Sequence, residues 1–156
     1  QLLAAIGIDG PIWLADKRWA LPALILTAGW RNIGYFSTIF LAGLQGIDRM
    51  YYEAARIDGA NAWASFRHIT LPMLKPTILF VVVMSVILSF QVFALVYVMT
   101  GGGPAGSTSV LVYFLYLQAF TYFRMGYASA VGFAIFVIVF VLTIIQFRAF
   151  GKTVHV

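Results

Sequence analysis

The sequence predicts an all-α fold, a polytopic bundle of transmembrane helices, on three observations. Of 156 residues, 62% are apolar and only 10% are charged, with a mean hydropathy of +0.94. A soluble domain holds about 45–50% and about 25%. Three apolar stretches, residues 20–46, 77–100 and 125–147, each reach the ~20 residues a helix needs to cross hydrocarbon. The polar residues are gathered in one place, and no Asp or Glu follows Asp58. This balance excludes a disordered chain, a nucleic-acid-binding arm and most soluble enzymes.

The net charge of +5 fits basic loops on the cytoplasmic side of a membrane and does not require nucleic acid. With no Cys there is no disulfide framework, catalytic thiol or thiolate metal site. The chain opens on Gln1 with no basic segment before Leu2, which reads as a piece of a longer protein without a visible signal peptide.

In chain order, Asp9-Gly10-Pro11 is a turn signal. Trp13 and Trp19 flank Lys17 and Arg18, either as an interfacial belt or as a surface loop with buried tryptophans. The first span, 20–46, carries Arg31-Asn32 near its middle. A charge there faces protein or water, or snorkels to one side. Residues 47–76 are the one long polar run, and 77–100 form the second span. Residues 101–109, GGGPAGSTS, read as a flexible turn. The aromatic run 110–123 suits a short interfacial helix or a lead into the third span, 125–147. That span opens with Gly126, Ala128, Ser129, Ala130, Gly132 and Ala134, small residues that allow close helix packing in lipid. Arg49, Arg56, Arg67, Lys75, Arg148 and Lys152 lie on one side of these spans, against Lys17, Arg18 and Arg124 on the other. The excess places loop 47–76 and the C-terminal tail in the cytoplasm and loop 101–124 outside.

Within the polar run, alanines favour helix and Asp58-Gly59 breaks it. The expected order is a helix, a turn at Gly59, a second helix and a stop at Leu71-Pro72, with Pro76 in the first turn of the next helix. Glu53-Ala54-Ala55, three residues, Gly59, nine residues, then Ile69, Leu71 and Pro72 resemble the cytoplasmic EAA loop of binding-protein-dependent ABC importer permeases. WLADKRWALPALI, FLAGLQGI, SFQVFALVYVMTGGGP and FRMGYASA are similar to the carbohydrate-uptake branch, and to permeases for sugars and glycerol 3-phosphate within it.

The resemblance covers nearly the whole chain and implies the C-terminal half of a type I ABC importer permease fold in a bacterial or archaeal cytoplasmic membrane. It implies that Glu53, Ala54, Ala55, Asp58, Gly59, Ile69, Leu71 and Pro72 dock on a cytoplasmic ATPase subunit. Trp63 and Phe66 would anchor that docking or pack against the permease's own helices. The resemblance also implies a second permease subunit and an extracytoplasmic solute-binding protein. ATP would be consumed by the partner, with no cofactor bound here. Arg31, Asn32 and Gln91 are the candidates for lining the solute pathway.

Other chemistry has less support. Gly151-Lys152-Thr153 looks like the end of a phosphate loop, but Gln146 stands where its first Gly belongs. His68 and His155 have no partner at metal-ligand spacing. An ion-coupled secondary transporter would place ionisable relays in its spans, and no carboxylate lies in these three. A passive structural subunit would have no use for the EAA loop.

Overall fold

Asp16 starts the first helix: its carbonyl accepts the Ala20 N–H at 2.9 Å. Helix α1 then runs Ala20–Gln45, one residue short of the expected span. The computed structural model describes residues 12–151, so the Asp9-Gly10-Pro11 turn, Lys152, Thr153 and His155 lie outside the described residues. The remaining elements are α2 (Arg49–Ile57), α3 (Ala62–Ser65), a π-helical turn (Phe66–Thr70), α4 (Leu71–Met73), α5 (Lys75–Phe90), α6 (Ala94–Met99), α7 (Leu111–Tyr116), a second π-helical turn (Leu117–Thr121) and α8 (Met125–Gly151). No strand occurs among the described residues, as the all-α expectation requires.

Helix α8 is the one described helix long and apolar enough to cross a membrane unaided. The segments Ala62–Met73 and Lys75–Phe90 qualify only together, as a pair bent by 63°. Phe133, Phe136, Phe140 and Ile145 of α8 are all exposed. An apolar, exposed helix of this kind suits surroundings of hydrocarbon or of other helices.

The chain divides into two compact units, with α1, α5 and α8 contributing residues to both. Among the described residues, the first unit comprises 12–31 and 89–137. Its core joins Leu24, Val96 and Tyr113. Here the expected continuous span 77–100 is corrected: α5 ends at Phe90, Gln91 is an exposed turn residue, and α6 starts at Ala94. Breaking the helix forfeits a few backbone hydrogen bonds, each worth about 1 kcal/mol net. In return Val96 falls to 1% exposure, and Phe93 stacks on Tyr97 at 5.4 Å and meets Tyr116 at 5.0 Å. Burying a valine contributes about 1.5–3 kcal/mol, and each aromatic pair adds about 0.5–1.5. Packing therefore outweighs helix continuity.

The Gly/Ser loop that follows is not the loose turn its composition suggests. Thr108, 1% exposed, donates from Oγ1 to the Gly103 carbonyl at 2.8 Å, and its hydroxyl also lies 2.8 Å from that of Thr100. The Tyr113 phenol donates to the Gly101 carbonyl at 2.8 Å. Gly102, at φ +81°, lies so close to the Tyr113 ring that no Cβ would fit. At the head of α8, Ala128 is buried and Gly132 faces Leu115, a Cβ there standing 3.2 Å from Leu115 Cδ1. Gly126 has no such neighbour. Two of the small residues thus serve packing in the way expected. Trp13 and Trp19 meet edge to face at 5.2 Å and are each 42% exposed, so neither is a buried tryptophan.

Among the described residues, the second unit comprises 32–88 and 138–151. It depends on a close approach of α1 to α5. A Cβ on Gly43 would stand 2.6 Å from Thr77 Oγ1 and 3.0 Å from a Leu74 methyl. Ile47 and Leu74 are buried in this unit. The Leu71-Pro72 stop is also corrected: the chain stays helical through Pro72 to Met73, and the break falls at Leu74. Pro72 sits in the first turn of α4, where a missing N–H costs nothing. The break comes instead from Pro76, which cannot donate back to the preceding turn. Pro76 lies in the first turn of α5 as expected.

The Gly43 contact yields a prediction for the full-length protein in detergent. Gly43→Leu should overpack the α1–α5 approach and cost about 1–3 kcal/mol, seen as a lowered thermal unfolding midpoint. Gly43→Ala combined with Thr77→Ala should recover much of the Gly43→Ala loss. Equal midpoints for the wild type and Gly43→Leu would show that the two helices do not touch there.

Candidate functional site

The polar run 47–76 folds as two short arms within the second unit, and its end groups explain the spacing of its residues. Asp48 caps α2, its Oδ1 accepting the Met50 N–H at 2.9 Å. At the other end Ala60 N–H donates to the Ala55 carbonyl at 2.8 Å and Gly59 N–H to the Arg56 carbonyl at 3.1 Å. These two bonds, with Gly59 at φ +78°, make a Schellman C-cap. Its geometry puts the left-handed residue four positions after Ala55, which is the spacing Ala55 to Gly59. Asn61 then caps the next arm at once, its Oδ1 accepting the Ala64 N–H at 2.8 Å.

The second arm continues through the π-turn. There Leu71 N–H donates to the Phe66 carbonyl, five residues back instead of four. Trp63 and Phe66 stack at 5.7 Å and are 68% and 44% exposed. They pair with each other at the surface of this unit. His68 Nδ1 lies 3.0 Å from the Ala64 carbonyl and the ring is exposed.

The structure brings the two halves of the predicted site together. Glu53, Ala54, Asp58 and Gly59 are exposed, and Ala55 is half-buried. Ile69 is half-buried, while Leu71 and Pro72 are exposed. Glu53 makes no hydrogen bond or ion pair among the described residues, so its carboxylate is available to an outside donor. Between the arms, the Tyr52 hydroxyl lies 2.8 Å from Thr70 Oγ1, and Thr70 is 8% exposed. Neither residue stood out in the sequence. Tyr52 precedes Glu53 and Thr70 separates Ile69 from Leu71, but nothing in the pattern pairs two hydroxyls eighteen residues apart.

The candidate pathway residues are not gathered in this way. Arg31 is exposed in α1, Asn32 is half-buried, and Gln91 is exposed in the turn after α5. None has a side-chain hydrogen bond or ion pair among the described residues. No group of three His, Asp or Glu side chains suited to a metal occurs among the described residues.

Comparison with known proteins covers nearly the whole chain. Residues 2–152 match the family described as "Binding-protein-dependent transport system inner membrane component". The chain is 45% identical over 152 residues to the lactose transport system permease protein LacF of Rhizobium radiobacter, covering 94% of this chain and 51% of that protein. It is 38% identical over 150 residues to the sn-glycerol-3-phosphate transport system permease protein UgpA of Agrobacterium fabrum (strain C58 / ATCC 33970), covering 94% and 51%. A solved bacterial alginate ABC transporter, in complex with an alginate pentasaccharide-bound periplasmic protein, superposes with a TM-score of 0.81 at 27% identity over 94% of this chain and 51% of that one. The chain spans about half the length of the curated relatives it matches.

The Schellman turn gives a direct test. A Cβ at Gly59 meets nothing within 4 Å, so any penalty there is backbone strain alone. Gly59→Val should cost about 1–3 kcal/mol, and Gly59→Asn distinctly less, because Asn tolerates the left-handed region. Amide hydrogen exchange at residues 54–60 should rise in Gly59→Val and stay near wild type in Gly59→Asn. Equal protection in the two variants would mean that the positive φ is not held in solution.

Proposed function

The chain belongs to the binding-protein-dependent transport system inner membrane component family, and on that premise we propose that it is a permease subunit of an ATP-driven importer for a carbohydrate or a polyol phosphate. One observation carries the reading. In a chain so poor in charge, α2 holds a carboxylate, Glu53, that is exposed, without a partner among the described residues and set in a helix capped at both ends.

In this reading residues 47–76 face the cytoplasm and dock on an ABC ATPase subunit. Glu53 accepts charge-assisted hydrogen bonds from that partner. Ala54 leaves room for close approach, and Gly59 sets the angle at which the second arm leaves. The exposed Trp63–Phe66 pair supplies apolar contact at the edge of the docking surface. The second arm continues through Pro72 to the Leu74 bend and into α5, so displacement of the loop is passed to a helix in the membrane. The chemistry of ATP hydrolysis belongs to the ATPase. This chain contributes the lever and part of the solute pathway, with Arg31, Asn32 and Gln91 as its polar lining.

The assembly includes a second permease subunit and an extracytoplasmic solute-binding protein, which the hydrogen-bonded loop 101–109 faces. All of these sit in or on the cytoplasmic membrane of a bacterium or archaeon. The sugar and glycerol 3-phosphate names of the relatives favour a hydroxyl-rich solute, neutral or phosphorylated.

Glu53→Ala tests the docking role. Hydrogen bonds to a charged group contribute about 1.5–3 kcal/mol, so the full-length permease should bind its ATPase about tenfold to a hundredfold more weakly. Co-purification from detergent at graded ATPase concentrations reads that change. Unaltered binding in Glu53→Ala would remove Glu53 from the interface.

A further inference from the structure

Helix α2 holds Glu53, Ala54 and Ala55 of the proposed docking set, yet none of its residues is buried. Its orientation is therefore not set by core packing. Beside it lies a cavity of about 320 Å³ lined by Tyr52 and Arg56 from α2, Ala60 from the turn, and Ala62, Ser65, Phe66 and Thr70 from the second arm. The two arms enclose space where packed side chains would otherwise hold them together. The Asp58–Asn61 turn fixes how one arm leaves the other, but Gly59 has open space around it and gives no lateral support. The long-range link across the opening is the Tyr52–Thr70 hydrogen bond, 2.8 Å between hydroxyls. Thr70 is anchored, being 8% exposed within the π-turn.

We propose that Tyr52 and Thr70 form a clasp that pre-sets the angle between the two arms, so that Glu53 is presented to the ATPase in one orientation. This rests on the ATPase-docking reading above, and it makes Tyr52 and Thr70 positioning residues that need not touch the partner. The physical gain is preorganisation: a loop already ordered loses less conformational entropy on docking. A neutral hydrogen bond contributes little to stability, so the expected effect is an affinity loss of about twofold to tenfold and not a failure to fold.

The test uses the full-length permease in nanodiscs with its ATPase subunits added. This chain has no Cys of its own, so once any cysteines elsewhere in the permease are replaced, nitroxides placed through Met50→Cys and Met73→Cys report the arms alone. Both sites are exposed, one on each arm, and neither belongs to the docking set. The clasp predicts one narrow distance distribution in the parent. Tyr52→Phe and Thr70→Val should each broaden it and weaken ATPase binding by about twofold to tenfold. Thr70→Ser, which keeps the hydroxyl, should restore both readouts. Tyr52→Phe combined with Thr70→Val should be no worse than the poorer single variant, because both remove one bond. Unchanged widths in the single variants, or losses that add in the double variant, would overturn the clasp. If the parent fails to bind any ATPase, the proposed function fails instead, and the label widths still decide whether the clasp exists.

Discussion

A chain that is 62% apolar has few polar side chains to spend, and every place where a helix stops leaves backbone N–H and C=O groups that must find partners. Where hydrocarbon is the surrounding, water does not supply them. The fold follows from how those stops are satisfied. Asp48 and Asn61 cap helices, and the Schellman pair closes α2 from its own backbone. Thr108 and Tyr113 supply the Gly101–Gly103 carbonyls with donors. Thr27 and Thr143, inside helices, return their hydroxyls to carbonyls four residues back, so each polar group is satisfied within its own helix.

This division of labour isolates the residue suited to contact. The loop has three acids. Asp48 caps the start of α2, and Asp58 stands at its end, a position that the helix dipole does not favour for an acid and that Arg56 in the same turn offsets. Glu53 alone sits mid-helix with no structural task. A free carboxylate there is unused by the fold, which is the condition for its use by a partner. Ala54 beside it is equally unburdened, being exposed, whereas Ala55 supplies the carbonyl that closes the Schellman bond.

Much of this was legible from residue types. The helices expected at 20–46 and 125–147 are present as Ala20–Gln45 and Met125–Gly151, because long apolar runs without Gly-Pro interruptions leave little choice. Gly59 was legible because a positive φ has a residue preference. What was not legible depended on tertiary contact. The end of α5 at Phe90 is set by the packing of Val96 on Tyr113, the latter more than twenty residues along, and Gln91 was its only local hint. The firmness of the glycine loop depends on a tyrosine hydroxyl arriving from α7. The two halves of the EAA pattern are legible by their spacing, but the Tyr52–Thr70 bond between them is silent in sequence, since tyrosine and threonine hydroxyls pair without any preferred register.

The two halves of the EAA pattern then have separate physical origins. Ala55 to Gly59 is the spacing of a helix cap, and replacing either residue acts on the shape of α2. Ile69 lies in a π-turn and Leu71 and Pro72 follow it directly; one carbonyl is bypassed there so that Leu71 N–H reaches the Phe66 carbonyl. A proline in an ordinary helix interior would clash with the carbonyl four residues back. Set just after a π-turn, it carries the arm onward to the Leu74 bend instead of ending it. The sequence pattern is thus largely a recipe for a rigid elbow, and within it Glu53 and Ala54 are the positions the backbone leaves open to contact.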